Sequence, residues 1–122
     1  GVYLPVHCTA AGLAIVAYIE PSRAEKLMCI SSSYSDSQVS QCPVEEFRDR
    51  LAKVRRDGFA FCNEEYEPGL RALAVPVLRP NGFAFASITA IAPGERFSDE
   101  EGNRQVVERM KEAAVKVGKF MY

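Results

Sequence analysis

The 122-residue sequence predicts an α+β domain, an antiparallel sheet covered by helices on at least one side. Three observations carry that expectation. Apolar residues recur at helical spacing in two stretches, around 44–57 and 98–121. Short aromatic and β-branched runs fill 59–91. Between two of those runs stands Arg79-Pro80-Asn81-Gly82, a turn whose Asn-Gly pair tolerates positive φ. A parallel nucleotide-binding sheet is disfavoured, since neither G-x-G-x-x-G nor G-x-x-x-x-G-K-S/T occurs.

In chain order, residues 2–6 include Pro5 and read as an edge strand or an extended lead-in. Thr9 offers an N-cap to an apolar helix over 10–18, which should be buried because it is apolar nearly all round. Pro21 suits the first turn of a short helix through 22–28. Residues 31–41, rich in serine and without an apolar period, read as a surface loop and a candidate lid. Pro43, Glu45 and Glu46 open a helix that carries Val44, Phe47, Leu51 and Val54 on one face and stops at Gly58. A strand over 59–62 follows, then an acidic loop over 63–69. Next come a strand over 70–78 interrupted by Pro76, the Asn-Gly turn, and a returning strand over 83–91. Ser98 and Glu101 form a capping box for a last helix with Val106, Val107, Met110, Ala113, Ala114, Val117 and Met121 on its core face.

Size and composition fit one domain: 48% hydrophobic residues provide enough apolar surface to offset the ordering entropy. A net charge of −1 argues against a nucleic-acid surface on this chain. The densest cationic group, Arg48, Arg50, Lys53, Arg55 and Arg56, is interleaved with Glu45, Glu46, Asp49 and Asp57 and reads as a solvated helix face. The apolar run 10–19 is too short to span a membrane and no basic segment precedes it, so a soluble cytoplasmic protein is expected. Cys8, Cys29, Cys42 and Cys62 show no C-x-x-C spacing and only one histidine accompanies them, which points to reduced thiols and to no metal or cofactor.

Several residues invite chemistry and have plainer readings. His7 beside Cys8, ahead of a helix N-terminus, suggests an activated thiolate, but an apolar neighbourhood favours a buried structural thiol. Glu64, Glu65 and Glu67 suggest general acid chemistry or a cation site, and equally a solvated turn. Cys8 and Cys62 would be the minimum for a redox pair, though no spacing rule links them. Ser87 and Thr89, two apart, place both hydroxyls on one strand face, either as ligands or as ordinary satisfied hydroxyls.

Three separated stretches carry a specific resemblance. Leu4-Pro5-Val6-His7-Cys8-Thr9-Ala10-Ala11-Gly12-Leu13-Ala14 resembles the segment that opens the main helix of effector domains in IclR-type bacterial regulators. Val54-Arg55-Arg56-Asp57-Gly58-Phe59-Ala60 with Asn63-Glu64-Glu65-Tyr66-Glu67-Pro68-Gly69-Leu70-Arg71-Ala72-Leu73-Ala74-Val75-Pro76-Val77 is similar to that family's core signature, and 82–89 supplies the third match.

The resemblance implies a GAF-like fold, a curved antiparallel sheet with packed helices and a pocket for a small organic acid. It also implies a single, partial effector-binding domain over 1–122, without the first elements of the family's domain and without the winged helix-turn-helix. DNA would then be reached only through that absent N-terminal domain. By motif, the amides of Ala10 and Ala11 face the effector, Cys62, Leu70 and Ala72 line the wall, and Ser87 and Thr89 present hydroxyls. At the wall some family members carry a polar or acidic residue where Cys62 stands and a thiol where Ala72 stands. The wall here is more apolar, which suits a larger or aromatic acid.

The leading expectation is thus a non-enzymatic sensor of a small carboxylate that assembles as a homodimer or tetramer. The alternatives are a cysteine-dependent redox enzyme using Cys8 or Cys62, and a dimerisation or scaffold module with no saturable pocket.

Overall fold

The computed structural model describes residues 9–32, 44–63, 68–93 and 100–121. Its elements are α1 (Ala10–Val16), α2 (Pro21–Ser32), α3 (Val44–Asp57), β1 (Ala60–Asn63), β2 (Leu70–Leu78), β3 (Ala84–Pro93) and α4 (Glu100–Met121). The strands form one antiparallel sheet in the order β1-β2-β3.

Side-chain alternation splits that sheet into two faces. On one, Ala60, Cys62 and Ala74 join Leu13 and Ala14 of α1 and Phe47, Leu51 and Val54 of α3 in a single apolar cluster. On the other, Leu73, Val75 and Val77 pack against Val107, Met110 and Ala114 of α4. The domain therefore has three layers, with the sheet in the middle. Burying each of the largest core side chains, Phe47, Leu51 and Leu73, stabilises the fold by about 1.5–3 kcal/mol.

α3 forms where its local signals agree. Glu45 and Glu46 sit in its first turn and Arg55 and Arg56 in its last, each complementing the helix dipole, and Phe47, Leu51 and Val54 are its buried stripe. Gly58 ends it in the left-handed region at φ +81°, its amide bonded to the Val54 carbonyl at 2.7 Å. The hairpin turn behaves as its residues require. Gly82 takes φ +87° and donates to the Arg79 carbonyl at 2.9 Å, and Asn81 Oδ1 accepts the Phe83 amide at 3.0 Å.

Some expectations shift. The helix expected over 10–18 ends at Val16, because the chain there is drawn to the sheet: the Tyr18 carbonyl accepts the Ala84 amide at 2.8 Å and Arg55 Nη1 donates to the Ala17 carbonyl at 3.3 Å. Ser31 and Ser32, assigned to a loop, continue α2, and Asn63 extends β1. β3 begins at Ala84 and runs to Pro93. Pro76 does not interrupt β2. β1 reaches only to Ala60, opposite Ala74, so beyond that row β2 has a strand on one side alone and a missing N–H towards the open edge costs no ladder bond.

On α4 the expected core face holds for Val107, Met110 and Ala114, with Val106 half-buried. Ala113 and Val117 are exposed because they lie to one side of the stripe that meets the sheet, which runs through Val107, Met110, Ala114 and Gly118, where an added Cβ would stand 3.1 Å from the Leu78 carbonyl; Met121 is exposed in the last turn. Residues 2–6, the proposed lid over 33–41, the acidic group Glu64, Glu65 and Glu67, and Ser98 lie outside the described residues.

Candidate functional site

The position of α1 decides what the sheet can offer. Its C-terminal end is fastened beside the start of β3 by the Tyr18–Ala84 bond and the Arg55–Ala17 bond. Its N-terminal turn consequently points towards the other end of that face, where Ala10 joins the cluster containing Cys62, with Ala72 packed at its margin. Thr9 caps this turn in an extended conformation, its Oγ1 accepting the Gly12 amide at 3.3 Å. The amides of Ala10 and Ala11 belong to the same first turn, whose N–H groups have no carbonyl within the helix.

The strand register supplies the wall. Cys62 pairs with Ala72, Ala72 with Ile91, Ala74 with Thr89, Pro76 with Ser87 and Leu70 with Pro93. Residues paired across strands share a face, and residues two apart along a strand share it too. All five strand residues expected at a site, Cys62, Leu70, Ala72, Ser87 and Thr89, therefore lie on the face that carries α1.

Their settings differ. Cys62 is buried and forms part of the core, Leu70, Ala72 and Ser87 are half-buried, and Thr89 is exposed. Ser87, in the Pro76 row, stands nearer the fastened end of α1, whereas Thr89 stands nearer its N-terminal turn. Ile91 was missed. It shares the row of Cys62 and Ala72, 65% of its surface is exposed, and its spacing of two from Thr89 was the available signal.

Two concavities lie elsewhere, and neither is lined by the expected residues. One, of about 590 Å³, involves Tyr18, Leu78, Pro80 and Gly118. The other, of about 860 Å³, runs between α3 and α4 past β1. On the α1 side, the described strand residues and α1 itself carry no carboxylate, imidazole or ammonium group, and the polar groups they offer are the Cys62 thiol, the Ser87 and Thr89 hydroxyls and the first-turn amides. No group of described residues has the composition of a metal site, and no described helix is long and apolar enough to cross a membrane.

An antiparallel sheet with helices on both faces makes an α+β module of the sheet-and-helix type. The family described as bacterial transcriptional regulator IclR C-terminal matches residues 1–119, and the chain belongs to that family. It is similar to the transcriptional repressor IclR of Escherichia coli strain K12, 27% identical over 118 residues, which are 94% of this chain and 43% of that protein. The chain thus spans less than half the length of that relative.

Among solved structures it resembles the C-terminal domain of the Escherichia coli regulator KdgR, with a TM-score of 0.83, 28% identity, and coverage of 98% of this chain and 72% of that one. It shares its fold with the inducer-binding domain of the PobR transcription factor from Acinetobacter, a double mutant in complex with 3-hydroxybenzoic acid. There the TM-score is 0.78 at 22% identity, over 97% of this chain and 67% of that one. The α+β antiparallel architecture expected from sequence is the architecture of these neighbours. The relatives are named as regulators and repressors, which agrees with a non-enzymatic domain and turns aside the cysteine-dependent enzyme.

Proposed function

We propose that this domain senses a small organic acid and passes its presence to a DNA-binding module of the same cytoplasmic regulator. The observation that carries the reading is the convergence of Leu70, Ala72, Thr89 and Ile91 with the first turn of α1 on one sheet face. The carboxylate is held by the Ala10 and Ala11 amides and the Thr89 hydroxyl, while the carbon skeleton lies on Ala72, Leu70 and Ile91 beside Cys62. An aromatic acid is the ligand named for the PobR neighbour. The effector acts by binding one arrangement of the regulator better than another, and only that difference in affinity drives the response. The exposed Val115, Phe120 and Met121 on the end of α4 suit association into a homodimer or tetramer.

The test is a thermal-shift titration with aliphatic and aromatic carboxylates, since a ligand that binds only the folded state raises the melting temperature with concentration. An aromatic or branched acid is expected to raise it, and Thr89→Val and Ala72→Leu to abolish the rise while leaving the unliganded transition in place. A rise that survives both substitutions would move the effector off this face. No rise with any acid would leave a scaffold as the better account.

A further inference from the structure

We infer that the cavity at the hairpin end of the sheet binds an apolar monocarboxylate, at a second site separate from the effector wall. The cavity exists because the sheet narrows there. β1 begins at Ala60, opposite Ala74, so among the described strands residues 75–78 of β2 have a neighbour only in β3. Helices still stand on both sides of the narrowed part. On one side the chain leaving α1 is tied to the start of β3 through the Tyr18 carbonyl; on the other, Gly118 brings α4 up to the Leu78 carbonyl. Tyr18 from the first side and Gly118 and Lys119 from the second thus line one space of about 590 Å³, a size within the range of small-molecule sites.

The lining favours a compact molecule over an added strand. Pro76, Leu78, Pro80 and Ala114 give it an apolar surface. Pro76 has no N–H, so an extended peptide laid along this part of β2 would find no donor in that row. The polar groups favour one negative charge. No carboxylate stands among the described lining residues. Lys111 and Arg79 also line the cavity but have partners within the protein, Lys111 donating to the Asp57 carbonyl at 3.3 Å. Lys119, which is exposed, has no ion-pair partner among the described residues. Tyr18 adds a phenol whose bond to the Arg55 carbonyl, at 3.4 Å, is long for an O–H donor, so turning it to an incoming oxygen gives up little. One ammonium and one hydroxyl beside an apolar lining match one carboxylate on an apolar body. Cys62, Ala72, Thr89 and Ile91 do not line this cavity, so the site stands independently of the effector wall.

The experiment is an amide NMR titration of the whole 122-residue chain with 2-naphthoate, with the neutral 2-naphthylmethanol as control. Saturable shifts centred on residues 77–79 and 114–119 are expected with the naphthoate. Lys119→Glu and Leu78→Asp, both at exposed positions, should each weaken that binding by roughly fivefold or more, and so should the change to the neutral alcohol. Thr89→Val should leave these shifts in place. Shifts at 70–72 and 89–91 report on the effector wall alone, so the two sites fail or stand separately. The absence of shifts at 77–79 and 114–119 at millimolar naphthoate would overturn the inference, as would binding unchanged in both variants. Equal binding of the alcohol would overturn the carboxylate, and loss of the shifts in Thr89→Val would return the ligand to the effector wall.

Discussion

Replacing Gly58 with alanine isolates one device on which the placement of β1 depends. Gly58 ends α3 two residues before β1 and takes φ +81°, a left-handed conformation that costs a residue with a Cβ roughly 1–2 kcal/mol. The added Cβ would also stand 3.0 Å from Lys111 Nζ, which donates to the Asp57 carbonyl at 3.3 Å. That ammonium is the far end of a flexible, partly exposed side chain, so it swings aside, and the backbone conformation should set the cost. Urea unfolding is the assay. With a slope of about 2 kcal/mol per molar for a domain of this size, the midpoint should fall by about 0.5–1 M, and Gly58→Asn should fall less because asparagine tolerates this region. Adding Lys111→Ala to Gly58→Ala separates the two causes. If removal of the lysine restored the midpoint, the contact would be the cause and the reasoning from φ would fail. An unchanged midpoint in Gly58→Ala would refute it outright.

Two further outcomes follow from the α1 side of the sheet. Phe47 is fully buried in the cluster that α3 shares with α1, α2 and the sheet, so Phe47→Ala should cost about 3–5 kcal/mol in urea unfolding; a loss below about 1 kcal/mol would mean that the cluster collapses around the gap. Burial lifts the Tyr18 phenol above its ordinary 10.0, with the Arg55 guanidinium pulling the other way. The folded state then holds this proton more tightly than the unfolded one, so stability falls as pH rises above 10.0 and is unaffected below it. Tyr18→Phe should flatten that alkaline decline relative to the parent, and parallel curves for the two proteins above pH 10 would count against the assignment.

The parts of the fold that were legible in the sequence are those where local chemistry and tertiary packing agree. The α3 stripe of Phe47, Leu51 and Val54, the Gly58 stop and the Asn81-Gly82 turn are each fixed within a few residues, and the structure places them as their spacing requires. What could not be read depends on partners distant in sequence. α1 stops at Val16 because Arg55 and Ala84 hold the next carbonyls, and no pattern in 10–18 records that. Pro76 is admissible in a middle strand only because β1 ends at Ala60. The apolar period of α4 assigned Ala113 and Val117 to the core, but the stripe that meets the sheet passes to one side of them, through Ala114 and Gly118. At the site, the period of two on β3 was enough to pair Ser87 with Thr89 and would equally have given Ile91. Their grouping with Cys62 and Ala72 comes from the register, which sequence alone does not fix.

That register also explains why holding and signalling can be divided between the two sides of one strand. Along β2, Ala72 and Ala74 face α1, while the alternating Leu73 and Val75 are buried in the α4 cluster. A molecule seated on Ala72 therefore presses on a strand whose next residues are locked into the opposite core, and close-packed cores repack in steps more readily than they stretch. The C-terminal end of α1 has its ties to Arg55 and Ala84, so displacement there would break hydrogen bonds, and the Thr9 cap on Gly12 fixes the first turn at the other end. The proposed effector, beside Thr89 and Ile91, therefore acts on the end of α1 away from those two ties.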